Sequence, residues 1–182
     1  TDAFQEADII SMTMPVTKWN FQVTSAREIA PAIAKAFYIA RSGRPGPVLI
    51  DITKNAQVEE VDYAYKPCLG LRSYNPKPVL DAGAAAKAVE MINAAERPLI
   101  LVGQGVTLSG GEKSLLEFAE TGNIPIASTV MGLSAVPTGH PLFVGNLGMH
   151  GNIAPNEMSQ ASDLIIAVGM RFSDRVTGDV NN

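Results

Sequence analysis

The hydrophobic pattern in the first third of the chain changes from a helical period to a continuous run. Across 24–43, apolar residues recur at the intervals of one helix face, at Ile29, Ile33, Phe37 and Ala40. Ser25 and Glu28 have the spacing of a capping box, and Gly43 can end this helix. The run VLIDI at 48–52 is typical of a strand covered on both faces. A helix followed by such a strand predicts half of an α/β unit.

Two further helices are predicted after residue 80. Asp81 is a candidate N-cap for a helix over 81–96, whose buried face is expected to carry Ala85, Val89 and Ile92. Ser109 and Glu112 repeat the capping-box spacing ahead of a second helix, which Gly122 can close.

Continuous apolar runs separate these helices and predict three strands. The strands are expected at 98–105, 124–129 and 164–169, and a glycine-rich loop leading into a short helix at 145–163 precedes the last one. Such strands, alternating with helices, predict an α/β fold with doubly wound parallel sheets. Residues 53–80 have neither period and contain Pro67, Pro76 and Pro78, so a linker between two domains is expected there.

Composition excludes several classes of partner. The 14 basic and 18 acidic residues give a net charge of −4 without a basic cluster, so no nucleic-acid partner is expected. No apolar run approaches the roughly 18 residues of a membrane span. The single Cys68 excludes an intrachain disulfide and fits a reducing compartment. The sequence has two histidines, so a His-based metal site is not expected. The start at Thr1 and the GDVNN ending suggest a piece of a longer protein.

Ligands of open α/β sheets bind at the carboxyl ends of strands, which directs attention to three stretches. Gly103 and Gly105 in VGQG permit close approach of a ligand or serve a tight turn, and the pattern is compatible with both. In GNLGMHG (145–151), Met149 fits a ligand site or fills a gap, and His150 alone is more often a loop histidine. In GMRFSDR (169–175), Arg171 can bind a phosphate or carboxylate, or can form a surface ion pair with Asp174.

Several stretches together resemble the large catalytic subunit of acetolactate synthase (acetohydroxyacid synthase), a family of thiamin-diphosphate enzymes. They are TDAFQEAD, TKWNFQVTS, SGRPGPVLIDITK, LVGQG, ASTVMGL, LGMHG and GMRFSDRVTG. The similarity covers nearly the whole chain except the linker. RF-x-DRVTG in particular is similar to the FAD-containing biosynthetic branch.

The resemblance implies a domain organisation and a reaction. Residues 1–62 resemble the C-terminal part of the pyrimidine-binding domain, 63–79 form a linker, and 80–182 resemble a truncated, Rossmann-like central FAD-binding domain. The family decarboxylates pyruvate on thiamin diphosphate with Mg²⁺ and adds the product to a second pyruvate or to 2-oxobutyrate, in branched-chain amino-acid biosynthesis. Its FAD is largely structural. Homodimers or tetramers with a small regulatory subunit are implied, in the bacterial cytoplasm or in eukaryotic plastids or mitochondria.

The resemblance also implies roles for particular residues. Substrate-channel positions are Phe4, Gln5, Lys54, Met149, Asp174 and Arg175, with Gln5 and Lys54 in supporting catalytic roles. FAD contacts are implied at Arg44, Gly103, Gln104, Gly105, Thr129, Val130, Leu147, Gly148, His150, Gly169, Met170, Arg171, Phe172 and Ser173.

The chain departs from the family pattern at three points. Ser173 replaces a usual aspartate, Gln104 a frequent glycine, and DITKN stands where DxPKD is common. The family's activating glutamate and its Gly-Asp-Gly…Asn metal motif are expected outside the chain, so the chain alone is expected to be inactive. The alternatives are another thiamin-diphosphate carboligase, such as a glyoxylate carboligase, and a non-catalytic flavin- or nucleotide-binding module.

Overall fold

The computed structural model describes residues 6–77 and 79–178. Contacts divide the chain into two compact units, Thr1–Val79 and Leu80–Asn182. No helix among the described residues is long and apolar enough to cross a membrane.

The first unit is a parallel strand–helix–strand arrangement flanked by short helices. Its elements in order are α1 (Ile9–Thr13), a 3-10 helix (Met14–Val16), β1 (Trp19–Val23), α2 (Ala26–Arg41), β2 (Val48–Ile52) and α3 (Lys54–Val58). β1 and β2 pair in parallel from Trp19 opposite Val48 to Val23 opposite Ile52. α2 packs on this pair, and the core of the unit forms around Val23, Ala32 and Ala56.

The predicted ends of α2 are confirmed. The capping box of Ser25 and Glu28 is present, and the Glu28 carboxylate accepts hydrogen bonds from the backbone N–H of Thr24 (2.9 Å) and Ser25 (3.2 Å). Gly43 follows the helix with a φ of +58°, a conformation that glycine adopts at little cost.

Three features of this unit differ from the sequence predictions. β1 was not predicted, although Asn20 and Gln22 alternate with apolar Trp19, Phe21 and Val23 in the pattern of a half-buried strand, because the prediction relied on continuous apolar runs. β2 is only half-buried along its length, because β1 is the one strand paired with it among the described residues. The stretch after residue 53 is not wholly irregular, since α3 begins at Lys54.

The second unit is a four-stranded parallel sheet with helices between its strands. Its elements are α4 (Ala82–Ala94), β3 (Pro98–Val102), α5 (Gln104–Ser109), α6 (Glu112–Gly122), β4 (Ile126–Ser128), a 3-10 helix (Val130–Ala135), β5 (Phe143–Asn146), α7 (Ile153–Ala161), β6 (Leu164–Val168) and α8 (Asp174–Thr177). The strand order is β5-β4-β3-β6, and every pairing is parallel. The predicted α/β class with a doubly wound parallel sheet is therefore confirmed.

Two cores lie on the two faces of this sheet. The larger contains Ile100, Val102, Ile126, Leu115 and Ala119, and α6 contributes the last two. The smaller is built around Leu99, Leu101, Ala127 and Leu147. β3 is the most deeply buried strand because it has a neighbour on each side.

The helix predictions for this unit are partly wrong. Asp81 does cap α4, accepting hydrogen bonds from the backbone of Gly83 and Ala84, but the expected buried face is exposed. Val89 is 54% exposed, and Ile92 is the residue of that face that packs on the larger core.

The capping box predicted for α6 is also wrong. Gly110 adopts a φ of +66° and separates two helices, so Ser109 ends α5 and donates its hydroxyl to Val106 O (2.9 Å). Gly111 is the N-cap of α6, and the helix ends at Gly122 as predicted, followed by Asn123 in the left-handed conformation with a φ of +49°.

The strand predictions miss one strand and overstate the burial of another. β5 was not predicted, because FVGN is short and ends in glycine and asparagine. β6 alternates between half-buried and exposed residues, because it pairs with β3 alone among the described strands.

Candidate functional site

The sequence-predicted residues of the second unit gather at the carboxyl edge of its sheet. The order β5-β4-β3-β6 reverses direction at β3, so the exits of β3 and β6 form the switch point at which such sheets bind ligands. Gly103 follows β3, Thr129 follows β4, Leu147 follows β5 and Gly169 follows β6.

At the switch point the two strand exits pack backbone against backbone. Gly103 N donates to Val168 O (2.9 Å) and Gly105 N donates to Gly169 O (2.8 Å). A Cβ on Gly103 would lie 2.5 Å from Gly169 O, and a Cβ on Gly105 would lie 2.6 Å from Gly169 Cα. These contacts favour the tight-packing interpretation of the Gly-x-Gly turn, because the space beside both glycines is already filled by protein.

The LGMHG loop and the start of α8 form one joined structure. Met149 N donates to Arg175 O (2.9 Å), and Arg175 Nη1 lies 3.3 Å from Met149 Sδ. A Cβ on Gly148, which has a φ of +113°, would lie 2.6 Å from Arg175 O. The loop is tied to α7 as well, since Gly148 N donates to Asn156 Oδ1 (2.9 Å). Two stretches that were singled out separately in the sequence are thus brought together.

The charged residues of this edge are exposed. Asp174 Oδ2 lies 3.9 Å from Arg175 Nε, a surface pair that stabilises the fold little. The ion pair suggested between Arg171 and Asp174 is not found, and within the described ranges the Arg171 side chain has no hydrogen-bond or ion-pair partner. His150 is exposed beside them. The Arg171 guanidinium group is therefore available to an anionic ligand, whereas that of Arg175 already contacts Met149 and Asp174.

Large apolar side chains are exposed at the same edge. Met149 is 56% exposed and Phe172 61% exposed, and Val130 and Met131 after β4 are similarly accessible. Exposed apolar groups at the same edge as the Arg171 guanidinium group suit a ligand with both an apolar ring and an anionic part. A flavin nucleotide has both parts, so the exposed guanidinium and apolar side chains of this edge fit such a ligand.

Four predicted cofactor residues have a mainly structural environment. Leu147 is buried in the smaller core, and Met170 packs against that core, so a ligand contact from Leu147 would have to come from its backbone. Ser173 is the N-cap residue of α8, although its side chain makes no capping hydrogen bond. Gln104 begins α5 directly after the Gly103 contact.

Two polar residues at the carboxyl edge were not predicted as site residues. Ser128, at the end of β4, is fully buried, and it pairs in register with Asn146 at the end of β5. Ser128 Oγ and Asn146 Oδ1 are buried without a hydrogen-bond partner among the described protein groups. A signal for Ser128 was present, because a serine ends an otherwise apolar strand.

The remaining predicted residues belong to the first unit. Arg44 is exposed in the turn between α2 and β2, and Lys54 is exposed at the first position of α3. Phe4 and Gln5 lie outside the described residues.

No group of three or more His, Cys, Asp or Glu side chains that could hold a metal ion occurs within 6–77 and 79–178.

A cavity of about 500 Å³ opens at the opposite, amino edge of the second sheet. Its lining includes Ile92, Ile124 and Met158, and none of the sequence-predicted site residues. The carboxyl edge remains the candidate site, because that edge holds the exposed charged side chains together with the exposed apolar ones.

A family model for the central domain of thiamine pyrophosphate enzymes matches residues 85–182, which is more than half of the chain. The chain belongs to the thiamine pyrophosphate enzyme family. A solved structure from Mycobacterium smegmatis, described as a thiamin diphosphate-dependent enzyme, superposes with a TM-score of 0.70 at 30% identity, covering 90% of this chain and 31% of that one. This similarity supports a Rossmann-like central domain.

Curated relatives within the thiamine pyrophosphate enzyme family carry a more specific name. The chain is 47% identical to the acetolactate synthase large subunit of Corynebacterium glutamicum, over 100% of this chain and 29% of that protein. It is 40% identical to the acetolactate synthase large subunit of Haemophilus influenzae, over 99% of this chain and 32% of that protein. The chain therefore spans about a third of the length of these relatives.

Proposed function

We propose that the chain is part of the large subunit of an acetolactate synthase, which condenses two pyruvates, or pyruvate and 2-oxobutyrate, with loss of CO₂. The observation that carries this proposal is the 47% identity over the whole chain to a relative of that name. The joining of Met149, Asp174 and Arg175 at one edge supports it, because these are the channel residues that the resemblance implies.

In this proposal the carboxyl edge of the second unit serves FAD and substrate together. The Arg171 guanidinium and the Thr129–Val130 backbone bind the flavin nucleotide, with Phe172 and His150 beside it. Arg44 is proposed as a further FAD contact. Arg175, steadied by Asp174 and by the Met149 contact, orients the carboxylate of the incoming 2-oxo acid. The FAD has a structural role and undergoes no net redox change.

Thiamin diphosphate, when bound, supplies the decarboxylation chemistry, and Mg²⁺ anchors its diphosphate. We assign no residue of this chain to that metal. Gln5 and Lys54 are proposed to support the reacting oxygen atoms, as a carboxamide donor and an ammonium donor. The chain by itself is proposed to be inactive, while the longer protein works as a homodimer or tetramer with a small regulatory subunit, in the bacterial cytoplasm or in plastids or mitochondria.

The test is to incubate the full-length protein that contains this chain with pyruvate, thiamin diphosphate, Mg²⁺ and FAD. We expect acetolactate, and acetohydroxybutyrate when 2-oxobutyrate is added. Release of CO₂ without either product would overturn the proposed carboligation. Formation of tartronate semialdehyde from glyoxylate instead would identify a different carboligase.

A further inference from the structure

Asn156, on α7, hydrogen-bonds to both backbone groups of Gly148 in the LGMHG loop. Its Oδ1 accepts from Gly148 N (2.9 Å), and its Nδ2 donates to Gly148 O (3.1 Å). A carboxamide suits this arrangement because it carries an acceptor and a donor on one planar group. A half-buried side chain of a helix therefore fixes the backbone of the loop that precedes the helix.

Gly148 depends on this restraint from outside the loop. Its φ is +113°, and a glycine has no Cβ to limit rotation about its backbone bonds. Its carbonyl also accepts from Gly151 N (2.8 Å). Its N–H, in contrast, is bonded to Asn156 alone among the described residues.

The peptide group between Gly148 and Met149 connects Asn156 to Arg175. The carbonyl of this peptide accepts from Asn156 Nδ2, and its N–H donates to Arg175 O (2.9 Å). Both groups belong to one planar unit, so fixing the carbonyl also fixes the direction of the N–H. Hydrogen bonds in such a chain also polarise and strengthen one another. Asn156 therefore acts on the Arg175 backbone through a single peptide.

The Arg175 side chain is 69% exposed at the carboxyl edge. Its Nη1 lies 3.3 Å from Met149 Sδ, and its Nε lies 3.9 Å from Asp174 Oδ2. Among the described residues these contacts involve Nη1 and Nε, so both N–H groups of Nη2 remain available to a carboxylate ligand. Because Met149 contacts both the backbone and the guanidinium of Arg175, rotation of the Gly148–Met149 peptide would displace the whole arginine.

We propose that Asn156 is a positioning residue that orients the Gly148–Met149 peptide and, through it, holds Arg175 in place for a carboxylate ligand. The inference rests on the proposed function, in which Arg175 orients the carboxylate of the 2-oxo acid. All four residues lie within the second unit. A restrained arginine loses less conformational entropy when the ligand binds, so Asn156 increases affinity through Arg175.

The first measurement is hydrogen exchange of residues 147–151, followed by mass spectrometry in the full-length protein that contains the chain. Asn156→Leu removes both hydrogen bonds at nearly constant volume. Gln160→Leu is the matched control, because it replaces an amide by leucine at an exposed position of the same helix. We expect exchange about fivefold faster in Asn156→Leu, as for one lost neutral hydrogen bond, and unchanged in the control. Unchanged exchange in Asn156→Leu would overturn the proposal.

The second measurement separates positioning from a purely structural role. Steady-state kinetics give KM and kcat for pyruvate in Asn156→Leu, Arg175→Gln and their combination. We expect Asn156→Leu to raise KM about fivefold and to leave kcat within about twofold, because binding is weakened equally in the ground state and the transition state. If Asn156 acts through Arg175, the combined variant has a KM within about twofold of that of Arg175→Gln. Multiplied effects, or an unchanged KM despite faster exchange, would overturn the positioning role.

The Arg175→Gln variant distinguishes failure of this inference from failure of the proposed function. An unchanged KM in that variant, with acetolactate still formed, would show that Arg175 does not hold the substrate carboxylate. The inference would then fall while the proposed reaction stands. No acetolactate from the unmodified protein would overturn the proposed function, and the role of Asn156 in substrate binding with it.

A second variant keeps the test decisive if Asn156→Leu does not fold. In Asn156→Asp the carboxylate still accepts from Gly148 N, but it has no N–H for Gly148 O and places an acceptor oxygen opposite that carbonyl. We expect the peptide to lose its orientation and KM for pyruvate to rise about fivefold, as in Asn156→Leu. A KM equal to that of the unmodified protein would contradict the positioning role.

Discussion

The two turns that carry predicted FAD residues are fixed by opposite means. In the first unit, the turn at 42–47 is held by side chains, because Lys18 and Tyr74 hydrogen-bond to its carbonyl groups. In the second unit, the exits of β3 and β6 are held by the lack of side chains, because Gly103 and Gly105 let backbone meet Gly169.

This difference predicts different responses to substitution. A side-chain cluster loses hydrogen bonds one at a time, and water can replace some of them. A Cβ added to Gly103 or Gly105 would lie 2.5–2.6 Å from the backbone of Gly169, which leaves no room for a methyl group. The strands themselves would have to move to accommodate it.

The largest expected effect comes from Gly103→Ala. The added Cβ would lie 2.5 Å from Gly169 O and from Met170 Cβ. We expect a loss of about 3 kcal/mol or more in the free energy of unfolding, measured by urea denaturation.

Gly139→Ala is the matched control for this substitution, because no atom of the part of the chain that the structure describes lies within 4 Å of a Cβ there. We expect that variant to stay within about 0.5 kcal/mol of the unmodified protein. A cost below about 1 kcal/mol for Gly103→Ala would mean that the strand exits separate readily, and the comparison between the two turns would fail.

Lys18→Met is expected to cost less, about 1.5 kcal/mol, since it removes charge-assisted hydrogen bonds to three carbonyl groups, while the exposure of Lys18 lets water replace part of them. Urea denaturation of the variant beside Lys113→Met measures the difference. Among the described residues Lys113 makes one exposed pair, with Glu117 at 3.7 Å, so its replacement should change stability by less than about 0.5 kcal/mol. Equal effects of the two substitutions would remove the distinction between a structural cluster and a surface charge.

The sequence predicted the elements whose signals are local. Ser25 with Glu28, Asp81 and Gly43 were recognised because caps are read within a few residues, and the apolar runs identified three of the four strands in the second sheet. A local signal can also mislead. Ser109 and Glu112 have capping-box spacing, but two consecutive glycines end one helix and begin the next between them.

Features that depend on distant contacts could not be predicted. Lys18 and Tyr74 are far apart in sequence, and neither residue type nor spacing indicates their contact. The Gly-x-Gly turn was compatible with a ligand and with tight packing, and only the position of Gly169 beside it distinguishes these interpretations. The assignments of Arg44, Lys54 and Arg171 to particular ligands stay predictions.

Asp81→Ala is expected to act locally. Its side chain accepts hydrogen bonds from Gly83 N (2.9 Å) and Ala84 N (3.0 Å), and removing an N-cap typically costs about 1 kcal/mol of helix stability. Because Ile92 is the α4 residue that packs on the larger core, most of this loss should appear as fraying of α4. Hydrogen exchange should accelerate in α4 and stay unchanged in β3, and Asp81→Asn should restore protection. Faster exchange in β3 would show that α4 supports the sheet more than its exposure indicates.

The smallest expected effect is a dependence of stability on acidic pH, present in both units. The Asp163 carboxylate accepts from Glu96 N (2.7 Å) and Arg97 N (2.9 Å), and these bonds, that from Glu96 first, lower its pKa below the usual 3.8. In the first unit, the bond from Ala26 N (2.8 Å) lowers the pKa of Glu59 below 4.5. A pKa lowered by folding means that the unfolded chain binds the proton more tightly, so this stabilisation is complete above the unfolded pKa and is lost as pH falls through the folded one.

Carboxyl ¹³C NMR titration should place both midpoints below those ordinary values. Asp163→Asn should reduce the pH dependence of unfolding below pH 5, while the contribution of Glu59 to that dependence remains. A midpoint at or above 3.8 for Asp163 would show that its two backbone hydrogen bonds do not persist in solution, and the start of β3 would then be less firmly held than its exit.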